Sequence, residues 1–532
     1  KHNLELRQSI GRDGKMTGLA GPEAGLYVKQ ARKAILARLE AAGHLLKQEP
    51  VENVVSISER TGREIEFLPT RQWFVRLLDK KEELVRLGRE VRWFPAHMGK
   101  RYENWVEGLE WDWCISRQRF YGVPFPVWTC EGCGEVFAAP DEWLPMLDHA
   151  KHEITEPCGK CGGTEWKPDL DVMDTWATSS ETPTINHRWG DPEGPRRSPL
   201  PMTIRPQAHD IIRTWAFYTI LKSWLHFRAL PWKDVVVSGH VQVKGRQKIS
   251  KSKGNAPHDP FNMLDQNGAD PTRYWALSAT LGTDSVFSDV ELKQGRRVCM
   301  KLWNASKFAA MHLEDFDPKA ERAPALAIDD WVRGRLNKTV ALVTENFDRY
   351  EFGIAKGDVE RFFWGDLCDN YLEMIKNRLY DKSPEGAEGR RAAQAGLHDV
   401  LYGITRLWTP FIPHVTEAVY QTIFRSAAGV DSVARAPWPT PDAPTSDAAE
   451  AAGAAAVAIL TAVRRWRSEQ KVSPGKPLAS ARLRAAPDVA THVPAIEEAV
   501  KAAGRVSALT VSADESLAAG TVAVEEIEVA DA

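Results

Sequence analysis

Three lysines fall within one short run, Lys248-Ile249-Ser250-Lys251-Ser252-Lys253-Gly254-Asn255, among small hydroxyls and a glycine. An ammonium on a flexible stem is a mobile point charge suited to phosphate oxygens. Ser250, Ser252 and Gly254 let the backbone close on such a ligand. If a carboxylate attacks the α-phosphate of a nucleoside triphosphate, charge builds on the phosphoryl oxygens and on the departing pyrophosphate. Ammonium groups aimed there stabilise the transition state more than the ground state. A lysine run can equally be a solvated basic loop or a nuclear-localisation-like segment, so its setting decides.

A second constellation is Cys130, Cys133, Cys158 and Cys161, two C-x-x-C pairs within the seven cysteines of the chain. Four thiolates in two tight pairs suit tetrahedral Zn²⁺, and Gly132, Gly134, Gly159 and Gly162 let the backbone turn around the sulfurs. No open catalytic position is suggested, so the reading is structural zinc. A redox dithiol is the alternative. Zinc would supply folding energy to an insertion, 128–166, too small for a core of its own. Cys114 has no activating histidine nearby in sequence and reads as a packed thiol.

These residues need elements to hold them. Asp234-Val235-Val236-Val237-Ser238-Gly239-His240-Val241 reads as a buried parallel strand running into a loop. Ligands in open α/β sheets bind beyond the carboxyl ends of strands, so Gly239, His240 and the lysine loop stand where chemistry is expected. Alternating helix and strand patterns reach from about 72 to about 285, which suggests a doubly wound parallel sheet. A helix fits Gly25 to Ala42, and Val54 to Ser58 is strand-like. From about 290 to 430, Leu, Phe and Trp recur at three- and four-residue spacing, the texture of a helical bundle. Ala436 to Ala456 is rich in Pro and Ala and reads as a loose connector before an amphipathic helix over Val457 to Lys471. The tail after Pro477 alternates weakly, as a small α/β piece would.

At 532 residues the chain holds several domains, at roughly 150 residues each. Its net charge of −3 provides no global basic field, so any nucleic acid must be met by local patches. No run is long and apolar enough to span a membrane. The odd cysteine count and paired spacing point to reduced thiols and a metal, not to a secreted disulfide framework.

The lysine loop resembles the signature loop of class I aminoacyl-tRNA synthetases, whose usual form is Lys-Met-Ser-Lys-Ser; Ile249 keeps the size and apolarity of the methionine. Asp171-Val172-Met173-Asp174-Thr175-Trp176-Ala177-Thr178-Ser179-Ser180 and Arg205-Pro206-Gln207-Ala208-His209-Asp210-Ile211-Ile212-Arg213-Thr214-Trp215 resemble segments of the valyl branch. One departure is Ala208, where the family often has glycine. The resemblance implies Lys248 and Lys251 as catalytic residues. It implies ATP binding by Lys251, Ser250, Ser252, Asp210, Gly239 and His240, with Mg²⁺ on the phosphates. Trp176, Ile211 and Trp215 would wall an L-valine slot; the bland alternative for each indole is core packing. Such a slot discriminates weakly against isosteric threonine, so editing of mischarged tRNA is expected in the full-length protein.

Further on, Asp270 to Trp275, Lys301 to Ala305, Cys368 to Glu373 and Pro410 to Pro413 resemble the family's stem-contact and anticodon-binding parts. Arg464, Arg467 and Lys471 are candidate contacts to tRNA(Val), with a solvated helix face as the alternative. Lys1 to Gly21 resembles the close of the valyl editing domain. His97-Met98-Gly99-Lys100 lacks the second histidine of the family's His-Ile-Gly-His element. The expectation is therefore a C-terminal portion that lacks the first half of the catalytic sheet.

The expected fold class is multidomain α/β plus all-α: the second half of a Rossmann-type parallel sheet with a zinc-ribbon-like insertion, then an α-helical anticodon-binding bundle. Expected boundaries are 1–70 for the end of an editing domain, 71–285 for the catalytic half with its knuckle at 128–166, and 286–325 for the linking segment. The anticodon-binding domain would occupy 326–480 and a small C-terminal segment 481–532. A cytoplasmic monomer is implied, inactive as this portion alone. The alternatives are an isoleucyl or leucyl relative, or a non-catalytic tRNA-binding fragment.

Overall fold

The computed structural model describes residues 5, 7–58, 62–66, 68–189, 200–243, 260–441 and 446–530, and the backbone of 247–248. The chain divides into two compact units, one of residues 1–82 with 108–182, the other of 83–107 with 183–532.

In the first unit a helix, Val28–Ala41, follows a short bridged turn, and only Ala31 of that helix is buried. The strand-like run at Val54 to Ser58 finds no strand partner among the described residues; Val54 is 98% exposed, and Ile57 makes a single bridge to Glu64. Strand propensity without a neighbour to pair with does not make a strand. Phe74–Val75 pairs antiparallel with Trp113–Cys114, and Ser116–Arg117 with Val172–Met173. The insertion is a three-stranded antiparallel ribbon with Val127–Cys130 between Val136–Ala138 and Trp166–Pro168. Contrary to the sequence expectation, it has a core. Trp128 is buried, and the rings of Trp143, His149 and Phe137 lie 5.6, 5.1 and 6.1 Å from it.

In the second unit β1 (Arg92–Phe94) joins β2 (Met202–Ala208) and β3 (Trp232–Ser238) in a parallel sheet of order β1-β3-β2. Val235, Val236 and Val237 are buried, as a central parallel strand covered on both faces requires. β2 leads through a tight turn, His209–Ile211, and a wide π turn, Ile212–Ala216, into helix α1 (Phe217–Phe227). A small sheet follows, with β4 (Val241–Val243) antiparallel to β5 (Gln247–Lys248) and parallel to β6 (Ser285–Val286). α2 (Ala269–Ala276) lies between β5 and β6 in the chain.

Then come α3 (Asp289–His312), α4 (Ala327–Asp348), α5 (Phe352–Arg361), α6 (Ala387–Trp408), α7 (Pro413–Ile423) and α8 (Asp447–Glu469). Their shared core includes Trp331, Phe363, Tyr371, Trp408, Phe411 and Tyr420. Asp329, fully buried, is held by Arg378 through two 2.8 Å bonds and by the Tyr371 hydroxyl at 2.9 Å. A carboxylate so enclosed needs such partners. At the sheet, Asp234 is gripped by Arg92 at 2.6 and 2.8 Å and by the hydroxyl of Tyr350, which follows α4, at 2.9 Å. The carboxyl-terminal piece is α/β: β7 (Leu478–Ala485) lies between parallel β8 (Val506–Ala513) and antiparallel β9 (Val522–Val529), with helix α9 (Val493–Gly504) against β8 and α8.

The expected loose connector over 436–456 is corrected in its second half, because α8 begins at Asp447. Ser446 caps it by accepting from the Ala449 N–H, and Ala449, Ala452, Ala455 and Ala456 are buried. Alanine is the strongest helix former, and its small side chain lets α8 approach α4 closely. A Cβ at Gly453 would stand 2.0 Å from the Trp331 ring.

Candidate active site

The carboxyl ends of β2 and β3 meet at one carboxylate that the sequence reading did not single out. Asp284 accepts from the His240 main-chain N–H at 2.8 Å, from His209 Nε2 at 2.9 Å and from Gln242 Nε2 at 2.7 Å. The His240 amide and the His209 ring hold its carboxyl below the usual carboxylate range. Donors to the charged form favour that form. The His209 and His240 rings pack edge to face at 4.6 Å, and His240 Nε2 lies 3.5 Å from Asp210 Oδ2.

The segment bearing Asp284 crosses the exit of β3 so closely that a Cβ at Gly239 would stand 2.0 Å from the Thr283 carbonyl oxygen. Glycine is obligatory there. Beside it opens a cavity of about 460 Å³, lined by Ser238, Gly239, Trp275, Thr283, Glu291 and Phe352 among others. Asp284 and His209 carried a usable signal. His209 stands inside the segment that ends at Trp215, and Asp284 marks the point where the alternating pattern ends.

Of the lysine loop, Lys248 lies at the end of β5. Ser250, Lys251 and Ser252 lie outside the described residues. Asp210, Ile211, Trp215, Gly239 and His240 all belong to the second unit, whereas Trp176 belongs to the first. Trp176 is half-buried on a short helix, Thr175–Ser179, just after Asp174, whose buried carboxylate pairs with Arg117 at 3.1 Å. Ile211 and Trp215 are half-buried, in the tight turn and the π turn respectively. Single π turns recur at functional sites because they re-aim side chains within a helix. One face of Trp215 is covered by Arg205, whose guanidinium carbon is 3.0 Å from the ring centre. Burial lowers the pKa of Arg205 to about 9.

In the first unit the four cysteine sulfurs lie within 4.8 Å of one another, with Cys130–Cys161 and Cys133–Cys158 each at 3.6 Å. A tetrahedral ion with Zn–S near 2.3 Å separates its sulfurs by roughly 3.8 Å. Gly134 and Gly162, both at φ 74°, donate to the carbonyls of Cys130 and Cys158 and fold each pair into a tight knuckle. The donor set fits zinc.

The proposed tRNA cations are corrected in part. Arg467 is buried and donates to the carbonyls of Ser473, Lys476 and Gly504 at 2.8–3.0 Å, tying α8 to the loop before β7 and to the end of α9. Spacing on a helix could not show that the following loop folds back over that side chain. Arg464 is partly engaged, donating to Asn370 Oδ1 and to the Asp369 carbonyl. Lys471 is exposed just past the helix.

A family profile described as tRNA synthetases class I (I, L, M and V) matches residues 16–288, and one described as the anticodon-binding domain of tRNA ligase matches 329–483. The valine–tRNA ligase of Anaplasma marginale is 42% identical over 488 residues, covering 89% of this chain and 58% of that protein. That of Archaeoglobus fulgidus is 38% identical over 480 residues, covering 90% and 54%. The chain thus spans a little over half the length of the curated relatives it matches. Among solved structures, the Mycobacterium tuberculosis methionyl-tRNA synthetase in complex with methionyl-adenylate aligns with a TM-score of 0.54 at 17% identity, covering 73% of this chain and 71% of that one. That likeness concerns the fold alone.

Proposed function

The chain belongs to the class I tRNA synthetases of the isoleucine, leucine, methionine and valine group, and on that premise we propose that it is the C-terminal portion of a valine–tRNA ligase. The observation that carries the choice of valine is the 42% identity with a valine–tRNA ligase across nearly the whole chain. In the proposed reaction the carboxylate of L-valine attacks the α-phosphate of ATP, and pyrophosphate leaves with the bonding pair of the broken P–O bond. A ribose hydroxyl at the 3′ end of tRNA(Val) then attacks the valyl carbonyl, and AMP departs.

The chain's own residues would act as follows. Lys248 and Lys251, with Ser250 and Ser252, meet the charge that develops on the phosphates. Asp210 accepts from the ligand's hydroxyls. Gly239 would meet the nucleotide through its backbone, because the Thr283 main chain fills the side where a Cβ would stand. The main-chain N–H of His240 is engaged by Asp284, so His240 would meet ATP through its ring. Ile211 and Trp215 wall the side-chain slot. Mg²⁺ bound with ATP would neutralise part of the phosphate charge. Cys130, Cys133, Cys158 and Cys161 would hold a structural Zn²⁺. Arg464 and Lys471 remain candidate contacts to tRNA, and Arg467 does not. No described helix is long and apolar enough to cross a membrane, and we place the protein in the cytoplasm as a monomer. The domain boundaries given above belong to this proposal.

ATP–pyrophosphate exchange with the full-length protein tests the reading. Valine should support exchange, and isoleucine, leucine and methionine should do so far less. Replacing both Lys248 and Lys251 by alanine should slow it by roughly 10²–10³, the usual cost of losing transition-state charge stabilisation. An unchanged rate, or a better rate with leucine, sinks it. A second reading, a tRNA-binding module without chemistry, rests on the half-length match; exchange by the isolated chain would exclude it.

A further inference from the structure

We propose that Arg205 is a positioning residue that fixes the width of the valine slot by clamping Trp215 against the sheet. The inference rests on the proposed role of Trp215.

Arg205 lies on β2 and is only 5% exposed. Its guanidinium is sandwiched, 3.0 Å from the centre of Trp215 and 4.9 Å from that of Trp232. Among the described residues no hydrogen-bond partner meets its Nε or Nη2, and no ion pair reaches it. Burying a cation this way is costly, and cation–π contact returns only part of the loss. A methionine or leucine would fill the same space more cheaply, so packing alone does not explain a guanidinium here. What the cation adds is direction, because a flat charged plate on an indole face resists tilting of that ring. The two indoles differ in burial. Trp232, at the start of β3, is 1% exposed and belongs to the core. Trp215 is half-buried in the π turn. Arg205 therefore ties Trp215, one face of which is proposed to meet valine, to the fixed position of Trp232.

The test compares Arg205→Met, Arg205→Lys and Trp215→Ala in the full-length protein by ATP–pyrophosphate exchange with valine and with isoleucine, alongside thermal melting. Arg205→Met should raise KM for valine and cut the valine-to-isoleucine ratio of kcat/KM, each by about tenfold, within the range that one methylene commands. KM for ATP should stay at the wild-type value. Arg205→Lys, which keeps charge but not the plate, should fall between. Wild-type discrimination in Arg205→Met, together with altered discrimination in Trp215→Ala, overturns the role of Arg205 and leaves the slot intact. An unchanged valine KM in Trp215→Ala overturns the slot reading and this inference with it. Should Arg205→Met fail to fold, the lysine variant decides: a reduced ratio supports the clamp and a wild-type ratio overturns it.

Discussion

At Asp284 a single carboxylate receives donors from the ends of two parallel strands and from the strand that follows them. It holds the His209 ring and the His240 main chain, so Asp284→Asn should leave the sheet intact and loosen the proposed nucleotide site. An amide presents one acceptor oxygen and turns an NH₂ toward donors, so at least one of the three bonds is lost. KM for ATP should rise by about tenfold with KM for valine little changed, the loss of one to two hydrogen bonds to a charged group; equal rises in both would contradict it. In the bundle, Asp399 shows how the same chemistry appears as pH dependence. Burial alone would raise its pKa, but bonds from His398 and Arg322 bring it down to about 2. A carboxylate depressed below its unfolded value stabilises the fold above that value, and the contribution fades as pH falls toward the folded pKa. Asp399→Asn should therefore cost on the order of 1–2 kcal/mol in urea unfolding at pH 6. The gap to wild type should narrow between about pH 4 and pH 2; a constant gap would refute the assignment.

Elements are placed here by small residues as much as by large ones. α8 reaches α4 because Gly453 leaves room for the Trp331 ring. Gly453→Ala should destabilise the bundle by about 1–3 kcal/mol through overpacking, despite alanine's better helix propensity. Removing the α8 cap with Ser446→Ala should cost about 1 kcal/mol. If thermal melting finds the glycine variant more stable, the close approach of the two helices is wrong. The strand β3 is an element of another kind, whose apolar middle is fixed by burial and whose polar ends are fixed by partners. Asp234 at its start answers Arg92 and Tyr350, and Gly239 just past its end answers the Thr283 carbonyl.

Across the whole molecule the two units differ in what sustains them. The second has a continuous apolar core running from α3 to the carboxyl-terminal sheet. The ribbon in the first has the Trp128 cluster and four cysteines. Chelation should therefore open the ribbon selectively. Proteolytic cleavage should appear between about 130 and 165, while far-UV circular dichroism from the helical bundle changes little, as expected when a metal's binding energy is local folding energy. Loss of the helical signal on chelation would show that the metal sustains more than the ribbon.

The sequence by itself settled several features that depend on local pattern, though not the run at 54–58, which lacks a strand partner among the described residues, or the connector over 436–456, whose second half is helix. The run of valines at 235–237 marked a buried parallel strand, three- and four-residue spacing marked the bundle, and paired cysteines marked a knuckle. Period and spacing are short-range properties, and the backbone converts them directly into faces and turns. Tertiary structure alone decided which charged groups are spent inside the fold. Arg467 looks like its neighbours on a basic helix until the loop before β7 covers it, and Arg205 looks like any strand arginine until Trp215 and Trp232 close on it. The same holds for Asp284, whose three donors come from positions 42 to 75 residues away in the chain. Partners brought together from such distances leave no periodic trace, because their meeting depends on how the intervening elements pack.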